Sequence, residues 1–530
     1  MKILTAAEMN QVDRLTVERY GQTVAGLMEN AGGSIPQVVL QYARDVSRKR
    51  IVILCGKGNN GGDGFVATHH LKHLGAKVTL FLFASLTDMK GEAAANATKW
   101  KNSGGDIQTV LTAADIPALK SALASAHIIV DALLGTGVRG AVEGVLAEAI
   151  NAVNEVAKSN RAVVLAVDIP SGLPADSGFP LGPTIRATAT VTFTAPKIGM
   201  IQPQAAGFVG ELYVRNIGSP YELIEEVGQS SLHWIDAEEV NTFAAPRQEG
   251  GNKGDYGHAL IVAGSYGKSG AAVLASWAAL RAGAGLVTVA TPDSVLPIVA
   301  AHSPEIMTEP LPATSEGTIS LKSFDNDRFK KLLDKKRALA IGPGLSTNDE
   351  TQQAVHELVN DRTIPIILDA DGLNAFAGRA SQLKNPAGNL ALTPHPGEMA
   401  RLAGCSIPQV QSNRVGLALK SAADWNAHVV LKGHQTIVAS PDGHAYINST
   451  GNPGMGTAGT GDVLTGILAG LTAQFGTADW PRVLAFGVYL HGLAGDIRYA
   501  EFSRAPLMAS DLIQALPRAY KHFYAMTRDA

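Results

Sequence analysis

The sequence predicts an α/β protein built from two doubly wound domains, and three observations carry that expectation. Apolar runs of strand length alternate with amphipathic runs of helix length throughout, the order of parallel sheets wrapped by helices. The early strand-like runs are continuously apolar and β-branched, as a strand buried on both faces requires. The 56 glycines against 6% aromatic residues suit many tight strand-to-helix turns and argue against an all-β sandwich.

In chain order, the strands expected in the first half are 50–56 (RIVILCG), 77–83, 127–134 (HIIVDALL), 161–170 (RAVVLAVDIP), 189–196 and 210–218, with amphipathic segments such as 64–74 between them. From about 219 to 254 the alternation lapses into charged, Gly- and Pro-bearing sequence, which places the boundary near Gln229. A first domain over 1–222, a linker over 223–232 and a second domain over 233–530 are therefore expected. The second half restarts with strands at 258–264, 286–292, 338–344, 365–371, 390–395 and 429–440, and ends in long helices after Asp462 and Trp480.

With 46% hydrophobic and 17% charged residues the 530-residue chain is too apolar to be disordered. A net charge of −3 leaves no basic excess for a phosphate backbone, so no nucleic-acid partner is expected. Cys55 and Cys405 cannot form a disulfide framework, and Cys55 within an apolar strand reads as a small core residue. The opening MKILTAAEMNQVDRL lacks an apolar signal core. The most apolar run, 269–280, lies between Lys268 and Arg281 and is too short to span a bilayer. A soluble, cytoplasmic protein without membrane contact is expected.

The segment RIVILCG-KGNNGGDG-FVATHHL reads as strand, glycine turn and helix. Gly56, Gly58 and Gly61 fit G-x-G-x-x-G, but the next strand ends FLFASL with no carboxylate before Asp88, so the ribose contact of a dehydrogenase is missing. The loop instead gathers Asn59, Asn60 and Asp63 above a helix N-terminus, where free N–H groups attract phosphate. One cap residue would suffice there, and this loop has three. Two further strands end in carboxylates, Asp131 in IIVDALLGTGVRG and Asp168 in VVLAVDIPSGL, the latter followed by Ser171. In a parallel sheet these ends converge with Asn60, and their oxygens suit a hard cation or proton transfer; singly, each Asp could merely cap a turn. His69, His70 and His73 lack the glutamate of a zinc motif and read as helix-surface residues.

The opening LTAAEMNQVDRLTVERYGQTVAGLMENAG, with GKGNNGGDG, DALLGTGVRG and VDIPSG, resembles NAD(P)H-hydrate epimerases over essentially the whole first half. The resemblance implies a Rossmann-like domain. It also implies dinucleotide contacts from Asn59, Asn60, Gly61, Gly62 and Asp63, and from Gly135, Thr136, Gly137, Val138, Arg139, Gly140 and Ala141. Asn60, Asp131 and Ser171 would ligate potassium, and Asp168 would be the acid/base against the substrate.

In the second half GSYGKS fails the P-loop spacing, because Val262 stands where a glycine is needed. The stronger feature is NPGMGTAGTGDVLTGILAGLTAQ. Gly459 and Gly461 let backbone N–H groups face a pocket at a helix N-terminus, and Asp462 is placed to act as a base on a hydroxyl. This G-x-G-D element resembles ribokinase-like enzymes. With VAGSYGKSGAAVLASWAALRAGAGLVTV, LAIGPGLS, ILDADGLNAF, LTPHPGEMARL and VLKGHQTIV in order, residues 258–496 resemble nucleotide-dependent NAD(P)H-hydrate dehydratases. That implies hydrate contacts at Ala263, Gly344, His395 and Asp462, and nucleotide contacts at Lys432, Gly433, His434, Gln435, Thr436 and Gly461. The family often has glycine where this chain has Ser346. Asp369 and Asp371 could help place magnesium or cap a strand end, and His395 could be only a turn residue.

The joint resemblance implies a bifunctional metabolite-repair enzyme, isomerase and lyase in one chain. It would epimerise R and S hydrates of NADH and NADPH and dehydrate the S form with ADP, giving NAD(P)H, AMP and phosphate. Potassium in the first domain, magnesium with ADP in the second, and a homo-oligomer are expected. The alternative is a ribokinase-like small-molecule kinase fused to a nucleotide- or RNA-binding module, against which the oxygen cluster of Asn60, Asp131, Asp168 and Ser171 argues.

Overall fold

The computed structural model describes residues 1–528 except 161, 245–246, 325–327, 361–363 and 385–386. Arg161, the first residue of one expected strand, and Ala245–Pro246 of the expected boundary region therefore lie outside the described residues. The chain divides into two compact units, Met1–Ser230 and Ser231–Ala530.

The first unit holds β1 (Arg50–Cys55), β2 (Lys77–Leu82), β3 (Gln108–Thr109), β4 (Ile128–Ala132), β5 (Val163–Val167), β6 (Ala189–Phe193) and β7 (Glu211–Arg215). They form one parallel sheet in the order β3-β2-β1-β4-β5-β6-β7, the Rossmann order. The continuous apolar runs follow from burial on both faces. Ile51, Ile53 and Cys55 of β1 pack with Phe65 and Leu71 of the helix Asn59–His73, while the alternate Val52 and Leu54 pack with Leu119, Ile150 and Val153 on the other face. The strand order reverses between β1 and β4, so a crevice opens at their carboxyl ends.

The expected linker 223–232 is largely structured. Tyr221–Val227 is a helix, and its Leu223, Ile224 and Val227 pack against Leu4, Met9, Val12 and Leu15, three of them on the first helix, Ala6–Tyr20. The glutamates of YELIEEV disguise an apolar stripe at helical spacing. Leu232–Ile235 is already β8 of the second unit.

The second unit adds β9 (His258–Val262), β10 (Leu286–Pro292), β11 (Met307–Leu311), β12 (Ala338–Ile341), β13 (Ile366–Leu368), β14 (Leu390–Leu392), β15 (His428–Leu431), β16 (Ile437–Ala439) and β17 (Ala445–Asn448). The sheet order is β11-β10-β9-β12-β13-β14-β15-β16-β17-β8. Strands β9 to β15 run parallel, and β16 pairs antiparallel with both β15 and β17. The single strand expected over 429–440 is thus a hairpin, its turn carrying Gly433 at φ 138° and Gln435 at φ 51°. The apolar run 269–280 lies in the helix Ser269–Ala282, packed against the helix Thr460–Phe475. A Cβ on Gly466 would stand 2.0 Å from the Ala275 carbonyl oxygen, so glycine sets how closely these helices approach. Among the described residues no helix is long and apolar enough to cross a membrane.

A Cβ on Gly61 would lie 1.9 Å from the Gly56 carbonyl oxygen, a backbone atom that cannot move aside, whereas one on Gly58 would meet nothing within 4 Å. Gly61→Ala is expected to destabilise the first unit by about 3 kcal/mol and Gly58→Ala by less than about 1 kcal/mol, measured by urea denaturation.

Candidate active sites

A cavity of about 1290 Å³ opens at the carboxyl ends of β1, β4 and β5. Asn59, Asn60 and Asp63 line it from the start of the helix after β1, Gly135–Ala141 from the loop after β4, and Asp168 from the end of β5. Gly61 and Gly62 do not line it: Gly61 faces Gly56, and Gly62 packs against the Met28 thioether and Ala93. The helix starts at Gly58 without a side-chain cap, so Asn59, Asn60 and Asp63 are not there as caps.

Asp131 and Ser171 lie fully buried outside the lining. Asp131 Oδ1 accepts from Ser171 Oγ at 2.6 Å and Oδ2 from Ser171 N at 2.8 Å, while Leu133 N donates to Oδ1 at 3.3 Å, a turn contact. Burial pushes the Asp131 carboxyl up to about 6 in spite of these donors. Asn60 Nδ2 donates to Leu134 O at 3.0 Å, and among the described residues Asn60 Oδ1, also buried, has no partner.

Asp168 stands at φ 61°, a left-handed conformation that Asp and Asn tolerate better than most residues. Its Oδ1 accepts from Lys197 Nζ at 2.5 Å and Thr192 Oγ1 at 3.2 Å; Lys197 Nζ also donates to Thr192 Oγ1 at 2.7 Å. Lys197 is 1% exposed, the condition in which an ammonium demands a partner. It also lines the cavity, as does Asp13. Sequence reasoning missed both; the available signal was a lysine inside FTAPKIGM.

In the second unit the loops after β9 and β12 are laced together by Gly264 N donating to Pro343 O at 2.8 Å and Ser265 Oγ to Gly344 O at 2.7 Å. Ala263 and Gly344 are thereby neighbours at the carboxyl edge. The helix Thr460–Phe475 begins at Gly459, φ 88°, with no side-chain cap, and Asp462 sits in its first turn. Burial, then the nearby Asp369, pushes the Asp462 carboxyl up to about 7, with Lys432 opposing. Lys432 Nζ donates to Asp369 Oδ1 at 2.6 Å, lies 3.8 Å from Glu398 Oε2, and would lie 3.4 Å from a Cβ on Gly461. Burial pulls its ammonium down, yet Asp369 and Glu398 outweigh that and the net shift is up.

Asp369 spends its second oxygen on Thr465 Oγ1 at 2.6 Å and caps no helix with its side chain. Asp371 Oδ2 accepts from Ser346 N at 2.8 Å and Lys268 Nζ at 3.1 Å. His395 caps the helix Pro396–Ala403, its Nδ1 accepting from Gly397 N at 3.0 Å while Glu398 Oε2 accepts from His395 N at 2.8 Å. Lys432–Thr436 form the β15–β16 turn, held from below by Arg414, whose guanidinium donates to the carbonyls of Leu431, Lys432 and His434. Arg414 was not foreseen, since nothing in its sequence surroundings links it to a turn 18 residues on.

Residues 24–199 match the family model described as YjeF-related protein N-terminus, and residues 259–518 the model described as NAD(P)H-hydrate dehydratase. The bifunctional NAD(P)H-hydrate repair enzyme Nnr of Moorella thermoacetica is 44% identical over 519 residues, 98% of this chain and 96% of that one. Its Escherichia coli counterpart is 35% identical over 515 residues, covering 97% and 93%. The chain belongs to the bifunctional NAD(P)H-hydrate repair enzymes. A solved structure, the ADP/ATP-dependent NAD(P)H-hydrate dehydratase of Bacillus subtilis co-crystallised with ATP and Mg2+, is similar to 55% of this chain and 98% of its own, at 34% identity and TM-score 0.47.

The first unit is accordingly the epimerase and the second the dehydratase. The alternative of a small-molecule kinase joined to a binding module is set aside, because the similarity to named repair enzymes runs through both units. In the dehydratase, Ser346 stands at φ 76°, in the left-handed region that glycine adopts without strain. Ser346→Gly is expected to stabilise this unit by about 1 kcal/mol, read as a rise in its melting temperature.

Proposed function

We propose that the epimerase works in the cavity beside Asp168, and that the dehydratase transfers a phosphoryl group from ADP at the start of the helix Thr460–Phe475. Asn59–Asp63 and Gly135–Ala141 hold the hydrated dinucleotide in the first site, with Gly61 and Gly62 contributing backbone and close packing. Ala263, Gly344, His395 and Asp462 hold it in the second, and Lys432–Thr436 with Gly461 hold the adenine nucleotide.

The observation that carries the dehydratase reading is Asp462 at an uncapped helix N-terminus, its carboxyl shifted to about 7. A base with that affinity takes a hydroxyl proton near neutrality. The hydrate carries a hydroxyl beside the ring nitrogen, and hydroxide leaves poorly. The oxygen, losing its proton to Asp462, attacks the terminal phosphorus of ADP and AMP departs. The nitrogen lone pair then expels phosphate, and loss of a proton from the adjacent ring carbon restores NAD(P)H. Backbone N–H groups after Gly459 stabilise the charge of the transferring group, with Lys432 beside them. Asp369 and Asp371 are the carboxylates at this edge that would help hold magnesium arriving with ADP, and the ion would offset the charge of the phosphates.

The epimerase residues fit a monovalent cation. Asp131 is a buried carboxylate with hydrogen-bond donors but no cation among the described residues, and Asn60 Oδ1 is a buried acceptor without a donor. Asn60, Asp131 and Ser171 would hold potassium, which supplies the positive charge that a buried Asp131 and an anionic dinucleotide both need.

Asp462→Asn is expected to lower dehydration about 10²–10⁴-fold and leave epimer exchange intact, and Asp168→Asn to do the reverse. Asn keeps an acceptor for Lys197 and tolerates the left-handed backbone. In the unaltered chain the dehydration rate should rise with pH through about 7, because Asp462 must be ionised to act. Supplying mixed epimers with ADP and following NAD(P)H, AMP and orthophosphate checks the scheme; a stable phosphate ester in place of orthophosphate would refute it.

Potassium chloride is expected to raise the epimerase unit's melting temperature above that in choline chloride at equal ionic strength. The gain corresponds to about 2.7 kcal/mol at about a hundredfold excess over Kd, and Asn60→Ala should remove it.

A further inference from the structure

Asp13 has no part in the scheme above, and its position on the helix Ala6–Tyr20 has no structural rationale. Met9, Asp13 and Val17 fall at i, i+4 and i+8 and all line the epimerase cavity. The middle residue of an apolar stripe is thus a carboxyl group, a poor helix former that is costly to bury. Its Oδ1 is buried and has no hydrogen-bond partner among the described residues. The charged groups around it come from other elements: Asp168 after β5, Lys197 after β6 and Asp63 on the helix after β1. A half-buried carboxyl group with one oxygen left buried and unpartnered in a functional cavity, where a lysine is spent on its neighbour, is the arrangement of a proton carrier rather than of a structural contact.

We propose that Asp13 is the second acid/base group of the epimerase, giving a proton to the departing hydroxyl while Asp168 takes one from the water that returns. The inference rests on the reading of this cavity as the epimerase site. The C–O bond beside the ring nitrogen breaks as the oxygen takes the Asp13 proton and leaves as water, and the nitrogen lone pair forms a C=N bond. Water adds to the opposite face of the same carbon, its electron pair forming the new C–O bond and its proton passing to the Asp168 carboxylate. Composition is unchanged and configuration inverted; one proton has moved from Asp13 to Asp168, and exchange with solvent restores it. The reverse epimerisation starts from the opposite protonation state, so the enzyme serves both directions. Asp168, accepting from Lys197 and Thr192, is arranged as the acceptor. Burial, reinforced by Asp168 and opposed by Lys197, pushes Asp13 up to about 6, close enough to neutrality for a donor.

The test uses the full chain supplied with the R epimer, in Asp13→Asn, Asp13→Glu and Asp168→Asn forms, with S-epimer dehydration as internal control. Asp13→Asn should lower the kcat of epimerisation about a hundredfold, with KM within about threefold, and Asp13→Glu should recover part of the loss. The melting temperature of Asp13→Asn should not fall, because a desolvated carboxyl is replaced by a neutral isostere; a merely structural Asp13 would lower it. A kcat loss under about tenfold, or a loss confined to KM, overturns the proposal while an inactive Asp168→Asn keeps the cavity's assignment. If Asp168→Asn also epimerises normally, the assignment of the cavity fails and Asp13 with it.

Discussion

In each unit a lysine ammonium is carried below the surface and tied to the aspartate at the end of another strand of the same sheet, and the architecture of both sites follows from that pairing. Lys197 meets Asp168 at the edge of the first sheet, and Lys432 meets Asp369 at the edge of the second. Removing one partner of such a buried pair costs about 3–5 kcal/mol, because the survivor is left charged and dry. The pair therefore fixes more than itself. Lys197 holds Asp168 in a left-handed conformation at the cavity. Asp369 uses its second oxygen on Thr465 and so ties the end of β13 to the helix that carries Asp462, while the paired ammonium stays beside Gly461.

The same desolvation that makes these pairs obligatory acts on other carboxyls of the two units. Asp131, Asp63 and Asp13 in the first unit and Asp462 in the second are all shifted upward, each chiefly by burial. Charge that the protein does not neutralise internally is free to be neutralised by a ligand or to move as a proton. A parallel sheet concentrates this effect, since every strand delivers its terminal side chain to one edge.

How much of this was legible in the sequence divides along a physical line. Runs buried on both faces announce themselves, so β1, β4 and β5, and β9 to β10, were readable, as was the order of turns that gathers Asn60, Asp131, Asp168 and Ser171. The β15–β16 hairpin was not, because Lys432–Thr436 contains one glycine and no Asn-Gly or Asp-Gly signal between two apolar runs. The helix Tyr221–Val227 hid behind its glutamates, and the two-residue β3 is too short for any periodicity. Partners were the least legible: Lys197 lies 29 residues from Asp168, Lys432 lies 63 from Asp369, and Arg414 supports its turn from a separate helix. Such contacts exist only once the sheet has brought its edges together.

On the proposed scheme both units act on the same hydroxyl, and the local charge decides which way its proton goes. In the proposed epimerase step the hydroxyl leaves as it is, which calls for a donor; there the group beside Asp168 is a lysine ammonium, and burial shifts the nearby Asp13 and Asp63 carboxyls toward their protonated forms. In the dehydratase the oxygen must first become a nucleophile, which calls for an acceptor. Asp462 is surrounded by Asp369, Asp371 and Glu398, whose charge raises its proton affinity, while Lys432 holds that rise near neutrality. A weaker base would not take the proton, and a stronger one would already hold it at the pH of use. On this scheme two sheets of the same class act on one substrate in different ways because each edge sets the proton affinity of its carboxylates differently.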